Sequence, residues 1–137
     1  MSKSSEHSRL MMEKAAEDLY VVERLVDDAR APDAVVGFHA QQAVEKWLKA
    51  VLTGRAIAFG RTHDLAGLLD LLQQNRVPAP PGAERLPRLT PYAVSLRYGR
   101  VPLEDGGELP LDRSWVRSCV REVKGWAEAL VWERPTT

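Results

Sequence analysis

A chain of 137 residues, 45% hydrophobic and 28% charged, can bury one core without disulfides or a structural metal, and a single domain over 1–137 is the default. Its 19 basic and 19 acidic residues cancel, which excludes any global attraction for DNA, RNA or an anionic membrane and requires a polyanion site to be local. The one cysteine, Cys119, has no intramolecular partner and no apolar run approaches a bilayer span, so a soluble protein of the reducing cytoplasm is expected.

Met12, Ala15, Leu19, Val22, Val26 and Ala29 recur in steps of three and four, which predicts a helix over about 8–30. Pro32 ends it and Asp33 can cap the next helix, whose stripe of Val36, Ala40, Ala43, Trp47 and Val51 runs to a stop at Gly54. So short a connection between two long helices implies an antiparallel hairpin. Thr62 or Asp64 opens a third helix with Leu65, Leu68, Leu69 and Leu72 inward, ended by Asn75 and Pro78 ahead of a loop over 76–83. Thr90 suits an N-cap and Pro91 a first helical position; Gly99 supplies the stop, so Arg97 and Tyr98 fall in the last turn of a short helix.

A long loop over 99–110 follows. Val116, Val120, Val123, Ala127, Leu130 and Val131 then define a final helix, with Cys119 inside its apolar pattern as a buried thiol. With no strand-like alternation and no repeat, the expected fold is an all-α, antiparallel up-and-down bundle of four main helices plus a short additional one. Its core covers about 8–134, leaving 1–7 and 135–137 as flexible ends.

On the second helix His39, Gln42, Lys46 and Lys49 are spaced by three, four and three residues, so they share a polar face beside the apolar stripe. Such a face is often only solvated, with lysine stems covering the core, but an imidazole, an amide and two ammonium groups also suit phosphate and base recognition. His63 and Asp64 stand where the third helix begins; capping explains Asp64 well and His63 poorly, which leaves His63 as a ligand or subunit contact. Arg97 beside Tyr98 combines a planar five-donor guanidinium with a phenol, suited to holding a phosphate and stacking on a base. Arg113, Arg117, Arg121 and Lys124 recur on one side of the last helix and could form a local basic patch.

Three blocks together resemble the prokaryotic branch of the HEPN family, small helical proteins with a proposed nucleotide-binding role. They are Phe38 to Ala50 (FHAQQAVEKWLKA), Thr62 to Leu65 (THDL) and Thr90 to Tyr98 (TPYAVSLRY), in family order. The resemblance implies a non-catalytic module that binds a nucleotide or another phosphate-bearing ligand near Arg97, with His39, Gln42, Lys46, Lys49, His63, Asp64 and Tyr98 as further ligand-binding residues. It also implies a homodimer or higher symmetric oligomer, and a partner nucleotidyltransferase acting with the HEPN protein, sometimes as toxin and antitoxin. Four tryptophans in so small a chain fit subunit contacts too.

HEPN ribonucleases generally carry an arginine, four to six intervening residues, then a histidine. Here Arg30 precedes His39 by eight intervening residues, Arg55 precedes His63 by seven, and Arg61 precedes it by one. No catalytic residue is therefore carried over, and RNA is not the favoured ligand. The alternatives are a metal-independent ribonuclease with a non-standard site, in which His39 or His63 is the general base, and a purely structural oligomerisation module. Histidines at 7, 39 and 63 lack the paired spacing of a metal site, and no phosphate loop or dinucleotide turn occurs, so no metal or cofactor is expected.

Overall fold

The computed structural model describes residues 3–94 and 110–132. Helices α1 (Lys3–Leu25), α2 (Asp33–Gly54), α3 (Leu65–Gln74) and α4 (Arg113–Trp132) pack with a short 3₁₀ helix at Leu86–Leu89. No strand occurs among the described residues, and the all-α bundle expected from the periodicity is the fold. Helix α1 starts at Lys3, ahead of the expected residue 8, and ends at Leu25, so Ala29 is exposed and not part of the stripe.

Ser8 near the start of α1 donates its hydroxyl to the carbonyl of Ala50 near the end of α2 at 2.7 Å, which makes the α1–α2 hairpin antiparallel. Helix α4 is also antiparallel to α1: Arg113 at its start lies on the end of α1, and the Arg9 guanidinium near the start of α1 stands 5.4 Å over the Trp132 ring. Helix α2 is central and buried on most of its circumference, from Val36 and Ala40 through Trp47 to Leu52. Met12, Val22, Val26, Ala43, Val51, Val116, Val120 and Val123 join it in the core, with Leu19, Leu69 and Leu130 packed at the edge. Each fully buried Leu or Val contributes about 1.5–3 kcal/mol.

Helix α3 has the ends the sequence suggests, Asp64 as N-cap and Asn75 as C-cap, whereas those of α2 are set by different residues. Pro32 occupies the N-cap of α2, and Asp33 is its first helical residue; the Asp33 carboxylate instead accepts from the Leu111 N–H and from Arg113. Gly54 is still helical, and the chain reverses at Ala56, whose φ of 56° lies in the left-handed region, with the Ile57 N–H closing back on the Leu52 carbonyl at 2.9 Å. Arg76 repeats the arrangement after α3, where the Val77 N–H reaches the Leu72 carbonyl.

Thr90 does not cap its own helix. Its backbone is helical (φ −50°, ψ −45°), and its hydroxyl accepts from the Leu65 N–H at the start of α3, at 3.3 Å. Two residues on, the Tyr92 ring lies so close over Gly37 that a β-carbon there would sit 2.3 Å from it. Only glycine fits that position on α2. Arg97 and Tyr98, expected in the last turn of the short helix, lie outside the described residues.

The arginines of α4 form a seam with α1. Arg113 donates to the carbonyls of Leu25, Asp28 and Ala31 and pairs with Asp33, adding a second donor to the Leu25 and Asp28 carbonyls, which already accept from the Asp28 and Ala31 N–H groups where α1 ends. Arg117 pairs with Asp27 and Arg121 with Glu23, so these three cations are neutralised within the chain and the basic patch expected on α4 is not free. The Arg121 hydrogen bond holds the Glu23 carboxyl below its ordinary range against some desolvation. That pair adds stability above the usual carboxylate pKa and loses it as pH falls through the lowered value; its exposure keeps the effect small. Cys119 is buried, and desolvation pushes its thiol up to about 12.

Arg113 is the tie among these three, because its loss removes the side-chain donor to the Ala31 carbonyl and leaves Asp33 without its cation. Arg113→Met is expected to lower unfolding stability by about 3 kcal/mol in urea titration, while Arg121→Ala changes it far less. Equal effects would show that the seam acts only as surface charge.

Candidate functional site

The polar face of α2 is anchored on two carboxylates that the sequence reading did not single out. Asp18 projects from α1 into the hairpin with its side chain 11% exposed, and Glu45 on α2 is 6% exposed. A carboxylate so placed must be paired, since burying it bare costs several kcal/mol. Each is paired in the same way, with one imidazole and one ammonium.

Asp18 takes His39 Nδ1 on one oxygen at 2.9 Å and Lys46 Nζ on the other. Glu45 takes His63 Nδ1 at 2.8 Å and Lys49 Nζ at 3.0 Å. An ionised carboxylate only accepts, so both rings must carry the proton on Nδ1, leaving Nε2 as the nitrogen that can meet a ligand. The spacing of α2 makes this possible: His39 and Lys46 lie two turns apart on the side facing Asp18, and Glu45 reaches Lys49 one turn on.

A buried amide anchors the second group to α3. Gln41 Nε2 donates to Glu45 Oε1 at 2.9 Å and to the His63 carbonyl at 3.2 Å, while its oxygen accepts from Gln42 Nε2 at 2.7 Å. The start of α3 is thus fixed to α2 by Gln41 and to the segment after the 3₁₀ helix by Thr90. Asp64 serves α3 itself: as N-cap it accepts from the Ala66 N–H at 3.1 Å, the ordinary capping role. Aromatic rings border the cluster, Phe38 edge-on to His39 at 5.2 Å and Phe59 with Lys49 Nζ 5.5 Å above it.

Of the residues expected at a site, His39, Gln42, Lys46, Lys49 and His63 therefore belong to two linked groups, Asp64 stands beside them as a cap, and Arg97 and Tyr98 lie outside the described residues. Asp18, Gln41 and Glu45 were missed. Asp18 falls three residues after Ala15 and four before Val22, so a carboxylate at a core-facing step was the available signal. No group of three or more His, Cys, Asp or Glu that could hold a metal occurs among the described residues.

The HEPN domain family model matches residues 8–130. The chain belongs to the HEPN family. It is also 34% identical over 133 residues to a protein named "Putative toxin MJ1304" from Methanocaldococcus jannaschii, covering 90% of this chain and 86% of that one. No solved structure matches. Within this HEPN domain no described helix is long and apolar enough to cross a membrane.

The two partners of each pair are not equivalent in energy. Lys49→Met leaves the Glu45 carboxylate buried with only neutral donors and should cost about 3 kcal/mol, whereas Glu45→Gln frees a lysine and a largely exposed imidazole to reach water and should cost about 1 kcal/mol. Urea unfolding of both variants checks the order. The reverse order would mean that Glu45 is hydrated and not the anchor of this cluster.

Proposed function

We propose that this HEPN protein acts in a two-component, toxin–antitoxin-like system and binds a nucleotide or another phosphate-bearing ligand on the polar face of α2, with Arg97 and Tyr98 completing the site. The observation that carries the reading is the organisation of that face. His39, Lys46, His63 and Lys49 are held in fixed positions by buried carboxylates, where a merely solvated stripe would leave them independent. Arg113, Arg117 and Arg121 are committed to the seam with α1, which leaves the α2 face as the better collection of phosphate donors.

The toxin named among the relatives covers most of both chains, which favours the paired-system reading, with a nucleotidyltransferase as the protein partner. A cytoplasmic homodimer or higher symmetric oligomer is part of the proposal. The tryptophans support it less than their number suggested: Trp47 is buried, Trp126 donates to the Pro78 carbonyl and Trp115 lies under Arg85, so only Trp132 is broadly exposed.

A second reading is favoured by the Asp18–His39 pair, since a carboxylate on Nδ1 orients an imidazole as a general base at Nε2. In that reading the chain is a metal-independent ribonuclease with a non-standard site. It stands behind the first, because the arginine-to-histidine interval of the family's ribonucleases is absent. Specific cleavage of a defined RNA, abolished by His39→Ala or His63→Ala, would reverse the order.

Calorimetric titration of ATP into the wild type and into Lys46→Ala and Arg97→Ala tests the proposal. Each substitution is expected to weaken binding by about 1.5–3 kcal/mol, the worth of a charged hydrogen bond, with Lys46→Ala also lowering stability because Asp18 loses one of its two partners. Equal binding by Arg97→Ala removes Arg97 from the site, and no binding by the wild type removes the reading.

A further inference from the structure

The two clusters on α2 are balanced in charge before any ligand arrives. Asp18 and Glu45 bring two negative charges and Lys46 and Lys49 two positive ones, each within hydrogen-bonding distance of its opposite. The lysines that look available to a phosphate in the sequence are therefore already satisfied, and the cluster as a whole has no surplus charge to offer an anion. Displacing a carboxylate to free them would strand it in the hairpin, at a cost of several kcal/mol.

One low-cost source of positive charge remains. Both rings give Nδ1 to a carboxylate, so each neutral imidazole presents Nε2 as a lone pair, which repels a phosphate oxygen. A proton added at Nε2 turns that repulsion into a charge-assisted hydrogen bond. The groups facing His39 are Asp18 from α1 and Lys46 from α2; those facing His63 are Glu45 and Lys49 from α2, with Arg61 and Asp64 flanking it on its own segment. Both rings reach solvent, His39 at 25% and His63 at 62% exposure, so a proton can enter without unfolding.

We infer that the phosphate-bearing ligand binds this face together with protons taken up by His39 and His63, which makes its affinity a function of pH. The inference rests on the proposed function and adds its regulation: His39 and His63, each held through Nδ1, supply when protonated the positive charge that these two clusters otherwise lack. Affinity falls by up to about tenfold for each unit by which pH rises, per proton taken up on binding. The lysines position the carboxylates and contribute their remaining N–H donors, and Gln41 fixes the His63 backbone to Glu45.

Calorimetry with ATP and with inorganic phosphate at pH 7.5, in buffers of differing ionisation enthalpy, counts the protons directly. The wild type is expected to take up about one to two protons per ligand beyond those the free ligand itself exchanges. His39→Gln and His63→Gln should each lower that count while circular dichroism shows the helices retained. Binding with no proton uptake, or with an uptake that neither substitution changes, overturns the inference and leaves the proposed function standing. Failure of both probes to bind the wild type removes the proposed function and this inference together.

Discussion

Two carboxylates buried in a helical hairpin decide how this domain's polar face is built. Asp18 and Glu45 cannot stay ionised in that position without partners, and the partners available are the imidazole and ammonium groups on α2 and at the start of α3. The consequence is that residues with long, flexible side chains are fixed. Lysines 46 and 49 lose rotamer freedom to hold a charge balance, and His39 and His63 are left with one defined tautomer and one open nitrogen each. Apolar side chains at 18 and 45 would pack as well or better, so the cost of two buried charges is the strongest argument that this face has a task.

The rest of the structure serves that arrangement from behind. Helix α4 covers the other side of the α1–α2 hairpin, and Arg113 gathers the end of α1 and the start of α2 onto one guanidinium, which fixes how the two helices meet. The α3 end is tied to α2 by the Gln41 amide, and the Thr90 hydroxyl caps it from the following segment. Tyr92 then seats on Gly37, so the chain leaving that contact toward Arg97 and Tyr98 departs from a fixed point on α2.

The helices were legible in the sequence because their periodicity is local: Met12 to Val26, Val36 to Val51 and Val116 to Val131 announce their inward faces without reference to one another. What the sequence could not supply was pairing between elements. Arg117 and Arg121 look like a free basic stripe until α1 is laid antiparallel to α4 and brings Asp27 and Glu23 opposite them. The polar face of α2 was legible as a face, through the spacing of His39, Gln42, Lys46 and Lys49, but its anchors were not. Asp18 lies on another helix, and Glu45 sits one residue from the lysine next to it, inside a helix too buried for any simple stripe to mark it. The Asp64 cap was legible because it is local, while Thr90 spends its hydroxyl on a neighbouring helix, which no local rule anticipates.

The account stands on both imidazoles being held through Nδ1 by buried carboxylates. Long-range nitrogen–proton NMR correlations on histidine-labelled protein report the tautomer of each ring directly, at a pH where the rings are neutral. The account predicts the Nδ1–H form for His39 and His63, with Asp18→Asn releasing His39 alone to the mixture seen for free imidazole. Two rings already in that mixture, or in the Nε2–H form, would contradict it.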